Sequence, residues 1–144
     1  MIEFQTQNVE MPQIDVELVR TWIGEVAARH GKTVGPLTYC FCDDPHIIEV
    51  NRQFLQHDFY TDIITFDYTR RTRISGDMLI SLDTVASNAE MLGMAYDQEL
   101  HRVIIHGVLH LCGIDDKGEG EREIMEAHED DALSIFQRLK QSES

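Results

Sequence analysis

The run at residues 103–112, VIIHGVLHLC, is apolar or glycine except for two histidines. At helical pitch His106 and His110 fall about 40° apart on one face. Burying two imidazoles in so apolar a helix is costly unless they find partners. A shared metal ion would be one. Gly113 suits the left-handed turn that ends a helix. Asp116, six residues after His110, can return a carboxylate to the same point. Two imidazoles and one carboxylate leave the fourth position of a tetrahedral zinc open, which is the catalytic rather than the structural pattern. His106, His110 and Asp116 are therefore the expected metal ligands. One zinc ion per chain is the expected cofactor, and other divalent metals are compatible with the same donors. The competing reading is two core histidines bonded to backbone, followed by a solvated acidic turn.

Gly107, not glutamate, follows the first histidine, so the general base of HExxH peptidases is absent. Asp62 and Asp77 lie at or near the ends of expected strands and are the candidate catalytic carboxylates; a turn or cap role is the alternative for each. Asp115 is placed to orient a ligand histidine or to be an exposed turn residue. His101 lies five residues before His106, about 140° away around the helix. With His30, His57 and His128 it reads as a surface or locally hydrogen-bonded histidine. Cys112 is the one nearby extra ligand, and its helix angle turns it away from His110.

The elements that must hold these groups follow from hydrophobic period. Residues 2–8 alternate as an edge strand. Residues 15–30 carry Val16, Leu18, Val19, Trp22, Ile23 and Val26 at helical spacing. Leu37–Phe41 is a short strand. A second helix starts near Asp44, its expected N-cap, with Pro45 at the first helical position. Thr61–Phe66 and Ile74–Leu82 are strands that can pair through the polar connection 68–73. Asp83 can cap a helix to about Leu92, the histidine helix runs from near Asp97, and residues 121–140 form a last amphipathic helix with four polar residues frayed beyond it. The expected fold is α+β: a single domain over 1–144, with a small four-stranded sheet packed on about five helices, the buried histidine helix at its centre and the metal at the sheet's open edge.

The 144 residues, 42% hydrophobic, suit one core. No run resembles a signal peptide or spans a bilayer, so a cytoplasmic protein without a membrane partner is expected. Cys40, Cys42 and Cys112 form no CxxC pair and read as reduced thiols, with Cys40 and Cys42 on one strand face. A net charge of −14 argues against generic nucleic-acid binding, which draws most of its affinity from phosphate attraction. Local cations can still hold RNA. Arg70, Arg71 and Arg73 are the nearest thing to a basic cluster and the candidate substrate contacts; a solvated loop is the alternative. Glu119, Glu121, Glu123, Glu126, Glu129, Asp130 and Asp131 read as a solvated acidic face that turns RNA toward the other side.

The segment HGVLHLCGIDD at 106–116 resembles the signature HGxLHLxGxDH of the YbeY family. Asn51, Thr61-Asp62 with Phe66, Gly76-Asp77 and Ala89 match it further, in order and spacing. The resemblance implies a metal-dependent endoribonuclease acting in ribosomal RNA maturation and ribosome quality control, with ribosomal RNA and the small ribosomal subunit as partners. Two positions depart. The family's third metal-binding histidine falls on Asp116, and a carboxylate there makes the bound water less acidic. The family's arginine in the second helix falls on Leu55, after Phe54, so its task would pass to Arg52, Arg70, Arg71 or Arg73. Two other readings use the same residues: a zinc hydrolase acting on a non-RNA substrate, and a non-catalytic ribosome assembly factor with a structural metal.

Overall fold

The computed structural model describes residues 1–54, 61–116 and 118–143. Among the described residues four strands and five helices follow in the order β1 (Ile2–Thr6), α1 (Val16–Arg29), β2 (Thr33–Cys42), α2 (Asp44–Phe54), β3 (Ile63–Asp67), β4 (Arg73–Ser81), α3 (Leu82–Leu92), α4 (Tyr96–Leu111) and α5 (Glu121–Glu143). The sheet order is β1-β2-β4-β3. β1 and β4 run parallel to β2, and β3 closes the edge antiparallel to β4, with Ile63 opposite Ile80 and Phe66 opposite Asp77. This is the expected α+β layer.

Several boundaries moved, each for a local reason. β2 begins at Thr33, four residues earlier than its apolar run, because a register shift between Val34 and Leu37 absorbs Gly35-Pro36. The cap of α2 is Asp43, whose Oδ1 accepts from the His46 N–H at 3.0 Å, so Asp44 is already helical. Ser81, not Asp83, caps α3 by accepting from Thr84 N–H. Asp83 instead accepts from the Asp44 N–H at 2.9 Å and ties the starts of α2 and α3 together. α5 continues to Glu143, through residues expected to fray.

The core lies between the sheet and α1, α4 and α5. Val103, Ile104, Ile105, Val108 and Leu109 of α4 are at most 3% exposed. Each such side chain contributes roughly 1.5–3 kcal/mol on burial. Two aromatic residues bury their polar ends with partners: Trp22 Nε1 donates to the Ala132 carbonyl at 2.7 Å, and the Tyr39 hydroxyl to the Ile104 carbonyl at 2.8 Å. On the opposite sheet face a smaller cluster of Cys42, Ile47 and Ile64 sits under α2. The three cysteines are free thiols. No helix among the described residues is long and apolar enough to cross a membrane.

Two glycines set how closely these layers meet. A Cβ on Gly107 would stand 2.6 Å from Met78 Sδ and 3.0 Å from Ile63 Cδ1, so α4 rests directly on β4 and β3. A Cβ on Gly76 would press into the Phe66 carbonyl oxygen across the β3–β4 pair. Gly24, inside α1, has nothing within 4 Å of the same atom. Gly76→Ala should therefore lower stability by about 1–3 kcal/mol, as overpacking against backbone does. Gly24→Ala should raise it by about 0.5–1 kcal/mol. Urea midpoints at unchanged slope measure both; an unshifted Gly76→Ala midpoint would contradict the close approach.

Candidate active site

The site forms where α4 leaves the sheet edge. Its apolar positions face β4 and β3, which leaves His106 at the border with its side chain 24% exposed. Gly113, at φ 99°, turns the chain back after α4. Asp115 Oδ1 accepts from the Asp116 N–H at 2.8 Å and shapes that turn. Asp116 Oδ2 then stands 3.3 Å from His106 Nε2. The other ring nitrogen, Nδ1, lies 2.7 Å from Glu129 Oε2 of α5. An ionised carboxylate only accepts, so Nδ1 carries the hydrogen and Nε2 faces Asp116.

Glu129 is itself bridged. Arg102 Nη1 donates to Glu129 Oε1 at 2.8 Å, and Arg102 Nη2 to Asp130 Oδ1 at 3.1 Å. Glu99, one turn earlier on α4 and 4% exposed, holds Oε1 at 3.9 Å from Arg102 Nε, beyond hydrogen-bond range. Asp62, just before β3, completes the cluster; its backbone carbonyl accepts from Ser81 N–H at 2.9 Å.

Burial and neighbouring charge shift three of these groups. Burial disfavours the His106 cation, but the Glu129 hydrogen bond and the charges of Glu129, Asp116 and Asp62 outweigh it and hold the imidazole above the usual histidine range. Burial pushes Asp62 up, with His106 opposing. Burial likewise pushes Glu99 up, the charges of Asp62 and Glu129 add to it, and Arg102 opposes.

Of the residues expected to bind metal, His106 and Asp116 meet; Asp62, expected as a catalytic carboxylate, lies within electrostatic reach of His106. His110 is half-buried one turn further along α4. Among the described residues no three His, Cys, Asp or Glu side chains are gathered closely enough to hold a metal ion. The His106–Asp116 spacing nevertheless suits one. Two donors on a tetrahedral zinc with arms of about 2.0–2.1 Å stand about 3.3–3.4 Å apart. His110, one turn further along the same face of α4, is the remaining expected donor.

Other expectations are corrected. Asp77 does not reach this cluster: Ile74, Met78 and Ile80 of β4 face the main core, so the pleat puts Asp77 on the opposite face with Phe66 and Leu79. Arg70, Arg71 and Arg73 are exposed at the far end of the β3–β4 pair, roughly 20 Å of strand from Asp62. Of the two expected readings of His101, the locally hydrogen-bonded one holds and the surface one does not. This histidine is 4% exposed between Trp22 and Phe136, with Nδ1 donating to the Asp97 carbonyl at 2.7 Å. His30 and His128 are half-buried and meet edge-on at 5.1 Å. Leu55 and His57 lie outside the described residues.

Glu129 is the residue the sequence reading misplaced, on a solvated face. It is 6% exposed. Its neighbours Glu119, Glu123, Glu126, Asp130 and Asp131 are exposed as expected. The signal was available: 125, 129, 132 and 136 form one helical stripe, and Met125, Ala132 and Phe136 are apolar.

Glu99 yields a pH prediction. Its folded pKa is raised, so its ionisation opposes folding above the ordinary glutamate range and is silent below it. Glu99→Gln should raise the thermal midpoint at pH 7–8, with the gain shrinking as pH falls below that range. Melting curves across pH test this; a gain that grows toward acid would refute it.

A family model described as Endoribonuclease YbeY matches residues 1–137. The chain is 64% identical over 136 residues to an Endoribonuclease YbeY of Phocaeicola vulgatus, covering 94% of this chain and 99% of the relative. It is 60% identical over 134 residues to that of Bacteroides thetaiotaomicron, covering 93% and 98%. A solution structure of a Thermotoga maritima protein aligns with TM-score 0.67 at 22% identity, over 99% of this chain and 93% of that one, a likeness of fold alone.

Proposed function

The chain belongs to the YbeY family, and from that premise we propose that it is a metal-dependent endoribonuclease that hydrolyses phosphodiesters of single-stranded RNA in ribosomal RNA maturation. The observation that carries the reading is His106, fixed by Glu129 through one nitrogen and set 3.3 Å from Asp116 through the other. A carboxylate behind a metal-binding histidine is the usual way its tautomer and direction are set. His106, Asp116 and His110 would hold the ion, zinc being the first candidate for imidazole and carboxylate donors. Bound there, a zinc ion would lower the pKa of its water and polarise a phosphate oxygen.

The protein's own groups supply the rest. Asp62, its pKa raised by burial beside His106, is the candidate acceptor for the proton of the attacking water. Asp115 holds the turn that presents Asp116. Arg70, Arg71 and Arg73 are too far from His106 to touch the cleaved phosphate. They can hold the RNA backbone some nucleotides away, along the β3 edge. The exposed acids of α5 turn the substrate toward that edge. The family resemblance supports a place on the small ribosomal subunit, in the cytoplasm.

Metal-stripped protein should not cleave single-stranded RNA, and zinc should restore cleavage to the wild type but not to His110→Ala. Asp116→Ala should lose zinc binding, and Asp116→His should keep it. Equal cleavage by wild type and His110→Ala would expose a contaminating nuclease. Zinc-loaded wild type that leaves RNA intact would overturn the endoribonuclease reading.

A further inference from the structure

Arg102 sits one turn before His106 on α4 and does not touch it directly. Its fork spans two acids of α5: Nη1 donates to Glu129 Oε1 at 2.8 Å and Nη2 to Asp130 Oδ1 at 3.1 Å. The two ends differ in setting. The Glu129 side chain is 8% exposed and the Asp130 side chain 69% exposed. The buried end of the fork is the one that leads to the site, because the second oxygen of the same carboxylate meets His106 Nδ1 at 2.7 Å. With one oxygen taken by the guanidinium, the plane of the Glu129 carboxylate is fixed, and so is the direction of the other oxygen.

We propose that Arg102 is a positioning residue of the hydrolytic site: acting through Glu129, it holds His106 in the Nδ1–H tautomer with Nε2 presented toward Asp116. The proposal rests on the reading of His106 as a site residue, and its tests include one independent of that reading. Without Arg102 the carboxylate can rotate about its terminal bond and take its hydrogen bonds elsewhere. His106 would then lose the acceptor that selects its tautomer. A lysine in place of Arg102 can reach one acid but cannot bridge both, so it should restore part of the effect. Asp130 holds only the exposed end of the fork, and its replacement should matter little.

The test compares Arg102→Met, Arg102→Lys and Asp130→Asn with the wild type. The first readout is the imidazole nitrogen NMR spectrum of the metal-free protein above the titration range of His106. Wild type should show the Nδ1–H tautomer, and Arg102→Met a mixture or the Nε2–H form. The second is zinc affinity by competition with a chromogenic chelator. It should weaken about 10–100-fold in Arg102→Met, less in Arg102→Lys and little in Asp130→Asn. The third is RNA cleavage, where kcat should fall in the same order with KM changed little.

A clip that merely joins α4 to α5 would lower the melting temperature and leave tautomer and zinc affinity untouched, which would overturn the proposal. A higher, salt-sensitive KM at unchanged kcat would make Arg102 an RNA contact and overturn it equally. If Arg102→Met does not fold, Arg102→Lys decides by the same tautomer and zinc measurements. If wild type cleaves no RNA, the functional reading fails, and the tautomer shift still decides the role of Arg102.

Discussion

The direct contact of α4 with the sheet is the constraint from which the rest of the site follows. Gly107 leaves no room for a side chain between the helix and Met78 and Ile63. The helix is thereby fixed in height and rotation, with Val103, Ile104 and Val108 buried. Once that rotation is set, His106 must emerge at the sheet edge and His110 one turn beyond it. A bulkier residue at 107 would have to displace the Met78 thioether and the Ile63 side chain against which the helix rests. The glycine inside the histidine motif therefore acts through geometry, not chemistry.

The second layer is electrostatic. Glu129 lies in an apolar stripe of α5, where a lone carboxylate would be costly. Arg102 on one oxygen and His106 on the other offset that cost. Glu99 has no equivalent partner for Oε1 among the described residues, and burial pushes its pKa up. The two glutamates of one cluster differ in partners: Glu129 accepts from Arg102, while Glu99 Oε1 stays 3.9 Å from it, beyond hydrogen-bond range.

Much of this was legible from residue spacing, and the failures have identifiable causes. His106, Gly113 and Asp116 announced a helix, a turn and a returning carboxylate, and they meet as spaced. Period and alternation gave every strand and helix, because each buries one face. Asp77 was misread because the pleat decides its face, and that depends on knowing that Met78 faces α4. His101 is locally hydrogen-bonded, one of its two expected readings, and it is buried because α4 is covered on a second side by Trp22 and Phe136, which only the tertiary arrangement reveals. The remoteness of Arg70, Arg71 and Arg73 follows from strand direction: Asp62 enters β3 at the site end, and the connection to β4 lies at the other. Glu129 was readable, had the stripe 125–129–132–136 been followed through its one acid.

The charge around His106 also bears on why a cation belongs there. Asp62, Glu129 and Asp116 surround a single imidazole, Glu99 adds its charge beside Asp62 and Glu129, and Arg102 is already occupied by Glu129 and Asp130. Such a set repels a phosphodiester in the absence of further positive charge. The same carboxylates, which raise the pKa of His106 against the effect of its burial, describe a place that favours positive charge. A divalent ion satisfies the same demand with more charge, and it would turn a surface that repels RNA into one that can hold a phosphate. On the proposed reading, the acidity of the site selects the metal first, and the metal then makes the substrate tolerable.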